Sequence, residues 1–255
     1  MATISVVLAT YNEEKNLPDC LKSVRNLADE IVIVDGTSKD ATLEIAKKYN
    51  AKTKVVENRE NFHINKQKAI DMATREWILQ LDADERVTPS LRDEIKSQIS
   101  NIKCSNINGY WIPRENWFLG RFLMKGGQYP DYTLRLYRKG KGRLPQKDVH
   151  EQAVVEGEIG YLKNPLIHMS DPEFERYFKR WQRYTSFIAK QLKESNVKWY
   201  NPVTAIKYLL ILPVWWFLLT YIRHKGFMDS WQGFVFSFFS ALRFPLSYLK
   251  FIINA

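Results

Sequence analysis

The chain has little cysteine, and this excludes several kinds of protein. Cys20 and Cys104 are the only two cysteines among 255 residues. Two residues so far apart form neither a CxxC metal-binding motif nor a disulfide framework. Residues 1–10 contain no basic segment and no cleavage site, so they do not resemble a signal peptide. We therefore expect an intracellular protein whose thiols stay reduced.

Two common phosphate-binding motifs are also missing. No GxGxxG follows the first predicted strand, and no GxxxxGK[ST] occurs anywhere in the chain. Their absence disfavours a dinucleotide-binding Rossmann enzyme and a P-loop NTPase. Hydrophobic residues make up 45% of the chain, enough to form a packed core and to exclude wholesale disorder. The length fits one large domain, or one domain with an appendage.

The charge is distributed unevenly. The chain has 38 basic and 28 acidic residues, a net charge of +10, and residues 162–255 carry +8 of it, with 13 basic and 5 acidic side chains. Residues 199–255 also hold 16 of the 35 aromatic residues. The aromatic residues stand in apolar runs at 208–222 and 234–239 rather than singly among basic ones, which disfavours nucleic acid as a partner and favours a membrane surface.

The apolar runs are short for a membrane span. Residues 208–222 would form a helix of about 22 Å, against a hydrocarbon core of about 30 Å. Pro213 interrupts the first run, and Asp229, Gln232, Arg243 and Lys250 interrupt the stretch 227–254. We interpret residues 199–255 as an interfacial hairpin in one leaflet, and a hairpin of two full spans stays open as the alternative.

A basic amphipathic helix is predicted just before this region, at 169–198. Ser170 and Glu173 form a capping-box pattern that predicts its start. Aromatic residues such as Tyr177 and Trp181 fall on one side, and basic residues such as Arg183 fall on the other. Such a helix suits an anionic membrane surface, but it could equally pack its aromatic side on the protein.

Residues 1–100 alternate between apolar strands and helical segments. The strands are predicted at 4–9, 31–34, 53–56 and 77–81, and this alternation is typical of a parallel α/β sheet. Ligands bind such sheets beyond the carboxyl ends of the strands. The polar residues at these ends are Thr10, Asn12, Asp35, Glu57, Asp82 and Asp84. Two carboxylates two residues apart, directly after a buried strand, can hold a divalent cation that neutralises a diphosphate.

These segments resemble family 2 inverting glycosyltransferases, which have the GT-A fold. The resemblance lies in SVVLATYNEE at 5–14, DEIVIVDGTSKD at 29–40 and LDADE at 81–85. Shorter segments, YPD at 129–131 and VHE at 149–151 among them, are similar to a small membrane-associated branch that includes bacterial lipopolysaccharide core glucosyltransferases. Processive relatives carry a QxxRW motif, which this chain lacks, so we expect the addition of a single sugar.

The resemblance implies a UDP-sugar site. Its residues would be Thr10, Asn12, Glu13, Asp35, Glu57, Lys66, Asp82 and Asp84. Asp35 would bond the uracil, although many relatives carry a second Asp where this chain has Gly36. Lys66 would lie near the donor phosphates. Asp82 would contact the ribose or the metal, and Asp84 would hold Mn²⁺ or Mg²⁺.

An inverting transferase needs a general base to deprotonate the attacking hydroxyl. The branch resemblance favours Glu151 as this base, with Asp148 as the alternative. A structural carboxylate that pairs with an arginine is the other interpretation of Glu151. His168 is a possible third metal ligand, since some GT-A enzymes complete the site with a late histidine, or else a structural residue.

The sequence thus predicts an α/β GT-A fold with a mostly parallel sheet over 1–168 and a membrane-associated helical region after it. The expected function is transfer of a hexose from a UDP-sugar to a lipid-anchored saccharide such as lipopolysaccharide core. The enzyme would act on the cytoplasmic face of the bacterial inner membrane. Two alternatives stay open: a polyprenyl-phosphate glycosyltransferase, and a non-catalytic protein that binds sugar nucleotides or lipid at a membrane surface.

Overall fold

The structure is a computed structural model that describes residues 2–58, 61–101, 106–146, 152–195, 197 and 200–253. The chain divides into two compact units. The first consists of Met1–Arg114 and Asp131–His168, and the second of Glu115–Pro130 and Met169–Ala255. The segment 115–130, which the sequence analysis placed with the catalytic region, therefore belongs to the second unit.

The first unit starts with alternating strands and helices around a parallel sheet. Its elements to residue 100 are β1 (Ile4–Thr10), α1 (Leu17–Val24), β2 (Glu30–Asp35), α2 (Thr42–Lys48), β3 (Lys52–Val55), α3 (His63–Met72), β4 (Trp77–Gln80), β5 (Glu85–Val87) and α4 (Pro89–Ser100). Strand β1 pairs in parallel with β2 and with β4, and β3 pairs in parallel with β2. These pairings bring the ends of β1, β2 and β4 to one edge of the sheet.

The later strands make the sheet mixed. They are β6 (Ile107–Phe118), β7 (Arg121–Phe122), β8 (Asp131–Arg138), β9 (Gly142–Arg143), β10 (Val154–Val155), β11 (Glu158–Tyr161) and β12 (Leu166–Asp171). Strand β8 is antiparallel to both β4 and β6, so the first unit orders its strands β3-β2-β1-β4-β8-β6. The start of β12 pairs antiparallel with β5. The predicted α/β fold class is confirmed, with an antiparallel half that the sequence pattern did not distinguish.

Helices cover the parallel strands on both faces. Leu17 and Leu21 of α1 pack in one buried cluster with Val6 and Leu8. Ala69 and Ile70 of α3 pack in a second cluster with Val7. Both faces of β1 are buried, which explains why the strand is a continuous apolar run rather than an alternation of apolar and polar residues.

Helices dominate the second unit. They are α5 (Phe174–Glu194), the short helices α6 (Pro202–Ile206) and α7 (Leu212–Phe217), a 3-10 turn (Gly226–Asp229) and α8 (Ser230–Ile253). A π-helical turn, Lys207–Ile211, joins α6 to α7, and a second one, Leu218–Arg223, extends α7. The resulting helix over Pro202–Arg223 is called the first apolar helix. By length and composition, both the first apolar helix and Gly226–Ile253 could cross a membrane.

The predicted start of α5 is wrong in its details. The helix begins at Phe174, and Glu173 occupies the cap position without a side-chain hydrogen bond to the helix. The Ser170 hydroxyl instead donates to the carbonyl of Trp117 at 2.8 Å, and Asp171 pairs with Arg180. Because β12 continues to Asp171, both residues belong to the strand, and their side chains bind Trp117 and Arg180 instead of the N–H groups at the helix terminus.

Candidate functional site

The loops after β1 and β2 are joined by hydrogen bonds around Asp35. Asp35 is fully buried, and its Oδ2 accepts from the hydroxyls of Thr10 at 2.8 Å and Ser38 at 2.6 Å. Its Oδ1 accepts from the Ser38 backbone N–H at 2.7 Å. The carboxylate therefore fixes the loop, and a hydrogen bond to uracil would require one of these bonds to open. The predicted base contact of Asp35 stays a prediction.

Asn12 and Glu13 belong to the same network. The Asn12 N–H donates to the Ser38 hydroxyl, and its side-chain oxygen accepts from the Lys39 N–H, both at 2.8 Å. The Glu13 N–H donates to the Thr42 hydroxyl at 2.8 Å. Asn12 and Thr37 have φ of 54° and 64°, a left-handed conformation that is uncommon for a β-branched residue and is often found at functional sites. The network gives this rim of the sheet a defined shape.

Gly36 stands where a larger residue would be in tight contact with the segment after β3. A Cβ at this position would lie 3.0 Å from Oδ1 and 3.1 Å from Cβ of Asn58. The missing second Asp of the family pattern thus has a local reason in this chain. Glu57, the neighbour of Asn58, is exposed, and its carbonyl accepts from the Asn65 amide at 3.0 Å.

We expect Gly36→Ala to lower the free energy of unfolding by about 1–3 kcal/mol, because the new methyl group overpacks this contact. Urea unfolding measures the change. In a chain that also carries Asn58→Gly, the same substitution should cost much less, since the colliding atoms are gone. An equal loss of unfolding free energy for Gly36→Ala with and without Asn58→Gly would contradict the assigned contact.

Asp82 lies between two buried cations. Its Oδ1 pairs with the Lys66 ammonium, and its Oδ2 accepts from the Arg135 guanidinium at 2.7 Å. Burial alone would raise the pKa of Asp82, but Arg135 and Lys66 outweigh this effect and hold the pKa well below its usual range. Burial lowers the pKa of Lys66, and Asp82 offsets part of that shift. Asp82 is therefore a fixed negative charge that holds two positive charges at the end of β4.

The ion pairs of Asp82 continue into a network of alternating basic and acidic side chains. Arg135 also donates to Glu85 at 3.0 Å, and Glu85 is fully buried. Arg114 reaches Glu85 at 3.3 Å and Asp131 at 2.7 Å. The sequence analysis did not identify this network, because its members lie on separate strands. Charged residues inside otherwise apolar strands, such as Arg135 in β8, were the available signal.

The structure brings two of the predicted metal ligands, Asp84 and His168, close together. His168 Nε2 lies 3.6 Å from Asp84 Oδ2, and both side chains keep part of their surface exposed. The distance results from the pairing of β12 with β5, which sets His168 opposite Glu85, the residue after Asp84. A carboxylate oxygen and an imidazole nitrogen are suitable ligands for Mn²⁺. The described residues contain no group of three His, Cys, Asp or Glu side chains placed to hold a metal, so such an ion would take its other ligands from diphosphate and water, as Mg²⁺ does in many phosphate sites.

The other predicted site residues are Asp82 and the two candidate bases. Asp82 is two residues from Asp84, but both its oxygens already bind cations, so its predicted contact with a metal or ribose stays a prediction. Glu151 and Asp148, the two candidate bases, lie outside the described residues. Gln152, the residue after Glu151, accepts hydrogen bonds from the Thr133 hydroxyl at 3.2 Å and the Leu134 N–H at 3.3 Å. The chain that follows Glu151 is thus anchored on β8 next to Arg135.

Known proteins resemble this chain over most of its length. The model of glycosyl transferase family 2 matches residues 5–151. A lipopolysaccharide core biosynthesis glycosyltransferase, LpsC of Rhizobium meliloti, is 28% identical over 254 residues, which cover 94% of this chain and 91% of LpsC. An uncharacterised glycosyltransferase of Rickettsia typhi is 28% identical over 244 residues, covering 92% of this chain and 82% of that protein. Among solved structures, TarS 1–349 of S. aureus in complex with UDP is similar with a TM-score of 0.49 and 19% identity, over 89% of this chain and 75% of that one.

Proposed function

The chain belongs to glycosyl transferase family 2. We propose that it transfers a hexose from a UDP-sugar to a lipid-anchored saccharide, with glucose as the expected hexose. The observation that carries this proposal is the Asp84–His168 pair at the end of β4. It lies beside Asp82, whose carboxylate is paired with Lys66 and Arg135. Carboxylates at this edge of a parallel sheet suit a nucleotide diphosphate with its cation. The name of LpsC supports lipopolysaccharide core as the acceptor.

Asp84 and His168 would hold Mn²⁺ or Mg²⁺ in this site. When bound, a divalent cation supplies positive charge that stabilises the departing diphosphate. Lys66 and Arg135 add fixed positive charge around Asp82. The hydrogen-bonded loops with Thr10, Asn12, Glu13 and Asp35 form the proposed edge of the uridine pocket, with Glu57 near its margin. A site that is organised before the substrate arrives loses little free energy to reorganisation during the reaction.

In the proposed reaction an acceptor hydroxyl attacks the anomeric carbon of the sugar. The new bond joins the hydroxyl oxygen to that carbon, and the bond between the carbon and the diphosphate oxygen breaks with inversion. The hydroxyl proton passes to the general base. We assign this role to Glu151, with Asp148 as the alternative, and the anchoring of Gln152 on β8 supports a base close to the donor site.

A comparison of two variants separates the candidate bases. We expect Glu151→Gln to lower the transfer rate by about 10²–10⁴-fold, the usual contribution of a general base, while UDP-sugar binding stays normal. Asp148→Asn should change the rate by less than tenfold. Single-turnover transfer from radiolabelled sugar nucleotide measures both. The reverse order of effects would move the role to Asp148.

The donor itself is tested by a binding screen. Purified chain with Mn²⁺ is titrated calorimetrically with UDP-glucose and with the GDP-, CDP- and dTDP-sugars. We expect UDP-glucose to bind and the GDP-, CDP- and dTDP-sugars not to bind. We expect EDTA to weaken the binding of UDP-glucose. Transfer is then assayed on lipopolysaccharide core and on polyprenyl phosphate. Transfer to bare polyprenyl phosphate alone would support that alternative acceptor, and no binding of any sugar nucleotide by folded protein would contradict the proposed function.

The membrane is the proposed partner of the second unit. The two long apolar helices and the excess of basic residues after 162 support a location at the cytoplasmic face of the inner membrane. Each Lys or Arg close to an anionic surface adds about 1 kcal/mol of attraction. Such a partner would bring a lipid-linked acceptor to the enzyme by diffusion in two dimensions.

A further inference from the structure

The first apolar helix exposes much of its apolar surface. Nine of its hydrophobic side chains are between 37% and 71% exposed: Val203, Ile206, Leu209, Leu210, Ile211, Val214, Trp215, Leu218 and Ile222. Its 18-residue apolar window is only 6% buried. Soluble monomers rarely expose contiguous apolar patches of this kind, and such patches mark contact with membrane or protein.

Helix α8 adds a second apolar surface. Five of its side chains are between 42% and 81% exposed: Trp231, Phe234, Phe238, Leu249 and Ile253. Their spacing by three, four or eleven residues places them on one side of the helix. Phe234 contacts Phe217 and Tyr221 of the first apolar helix at ring distances of 6.0 and 5.8 Å. The two helices are therefore neighbours, and together they expose a broad apolar surface, which we call the apolar face.

A charged helix accompanies α8 along much of its length. The Trp181 indole of α5 donates to the carbonyl of Phe239 at 2.8 Å. About three turns further along α8, the Lys250 ammonium donates to the Thr185 hydroxyl at 2.9 Å. Leu192, near the end of α5, packs in one cluster with Phe251. Much of the aromatic side of α5 thus packs on the protein, which was one of the two predicted interpretations, while Phe174 and Tyr184 stay exposed.

The opposite side of α5 is exposed and basic. The basic residues on it are Arg176, Lys179, Arg180, Arg183, Lys190 and Lys193. Glu175 and Glu194 lie on the same side and pair with Lys179 and Lys190, which leaves an excess of four basic residues. If α8 crossed a bilayer, α5 would be carried into the hydrocarbon beside it. Each basic residue costs at least about 2.5–3.5 kcal/mol at the centre of a membrane. The paired acidic residues would enter the hydrocarbon as well, and an excess of four basic residues makes a spanning position of α8 very unfavourable.

The turn between the two apolar helices combines basic and acidic residues with two exposed apolar side chains, Phe227 and Met228. Asp229 is 2% exposed and accepts from the Lys125 N–H at 2.7 Å, and the Gly126 N–H donates to the carbonyl of His224 at 2.9 Å. Arg223, His224 and Lys225 are exposed at this turn. A Cβ on Gly233 would lie 1.9 Å from the carbonyl oxygen of Gly226, so the turn is closely packed and holds the loop around residue 125 firmly in place.

We propose that the two apolar helices lie in the plane of one leaflet of an anionic bilayer and do not cross it. The apolar face enters the acyl chains, and the basic residues of α5 and of the turn stay at the level of the lipid phosphates. The charge complementarity favours an anionic lipid surface over a second copy of this basic chain as the occupant. This inference deepens the proposed membrane partner and fixes the topology that the sequence left open.

Vesicle binding tests the apolar face. The full chain should co-sediment with vesicles of phosphatidylcholine and phosphatidylglycerol at 7:3, and much less with phosphatidylcholine alone. Leu210→Glu and Phe238→Glu should each weaken binding at least tenfold, because the side chain leaves the acyl region and a negative charge is added. Val154→Glu, at an exposed apolar residue of the first unit, is the matched control and should bind normally. A soluble dimer that either substitution dissociates, without vesicle binding, would overturn the proposal in favour of a second copy.

Cysteine labelling tests the topology. Tyr200→Cys and His224→Cys, one at each end of the first apolar helix, are made singly in a Cys104→Ser chain, in which the remaining Cys20 is buried. Inner-membrane vesicles of both orientations are treated with a membrane-impermeant maleimide. Both cysteines should label from the same side, in the same vesicle orientation. Labelling from opposite sides would overturn the in-plane arrangement. UDP-sugar binding by the same samples is a separate readout, so a failure of the proposed donor site would not be mistaken for a failure of this topology.

Discussion

Replacement of Arg135 by methionine should lower the free energy of unfolding by about 3–5 kcal/mol, the usual cost of removing one partner from a buried ion pair. Arg135 joins Asp82 at 2.7 Å to Glu85 at 3.0 Å, and Glu85 has no exposed surface. Without the Arg135 guanidinium, less positive charge would lie between the carboxylates of Asp82 and Glu85. Lys66 and Arg114 remain, but Lys66 pairs only with Asp82 and Arg114 contacts only Glu85 of these two carboxylates.

Urea unfolding monitored by circular dichroism measures this loss. Arg92→Met is the matched control, since Arg92 pairs with Asp93 at the surface and exposed pairs contribute about 0–1 kcal/mol. In the Arg135→Met chain, adding Glu85→Gln should recover part of the stability, because it removes the unpaired buried charge. A loss below 1 kcal/mol for Arg135→Met would contradict the structural role assigned to the network.

Replacement of Asp84 by asparagine should lower the transfer rate about 10³-fold or more and abolish the effect of Mn²⁺ on UDP-sugar binding. The reason is that the carboxylate would be the anionic ligand of the cation that stabilises the diphosphate, a contribution of several kcal/mol. His168→Gln should cause a smaller loss and raise the Mn²⁺ concentration needed for half-maximal rate. The fold should persist in both variants, because each replacement is similar in size to the original side chain and both side chains keep part of their surface exposed.

Asp71→Asn is the control for this experiment. Asp71 is an exposed residue at the end of α3 whose carboxylate accepts from the Gln67 amide at 2.7 Å, and its replacement should leave rate and metal dependence unchanged. Unchanged activity of Asp84→Asn would remove the Asp84–His168 pair from the proposed mechanism. Normal metal-dependent binding with a lost rate would instead limit Asp84 to the chemical step.

Short-range features of the fold could be predicted from the sequence. The continuous apolar runs at 4–9 and 31–34 predicted parallel strands, because only a sheet covered on both faces buries every residue of a strand. The end of each strand was then known within a residue or two. Thr10, Asp35 and Asp82 could therefore be placed at one edge of the sheet before any contact between them was known.

Contacts that depend on strand pairing could not be predicted in the same way. Arg135 is 53 residues from Asp82 in sequence, and only the antiparallel register of β8 on β4 brings the two together. The close approach of Asn58 to Gly36 depends on the packing of two loops. The capping-box prediction at Ser170 failed for a related reason, since the strand extended further than its pattern indicated and used the polar side chains itself.

The sequence by itself determined the family, the first four strands and the helices that alternate with them, the carboxylates at the strand ends, and a basic, aromatic C-terminal region, whereas β5 was not predicted. Each of these depends on residue type and spacing along a few turns or one strand. Only the tertiary structure decided that Asp82 lies between Lys66 and Arg135, that His168 lies beside Asp84, and that α5 accompanies α8. These are contacts between segments far apart in sequence, and their geometry is set by strand register and side-chain packing, which no local pattern encodes.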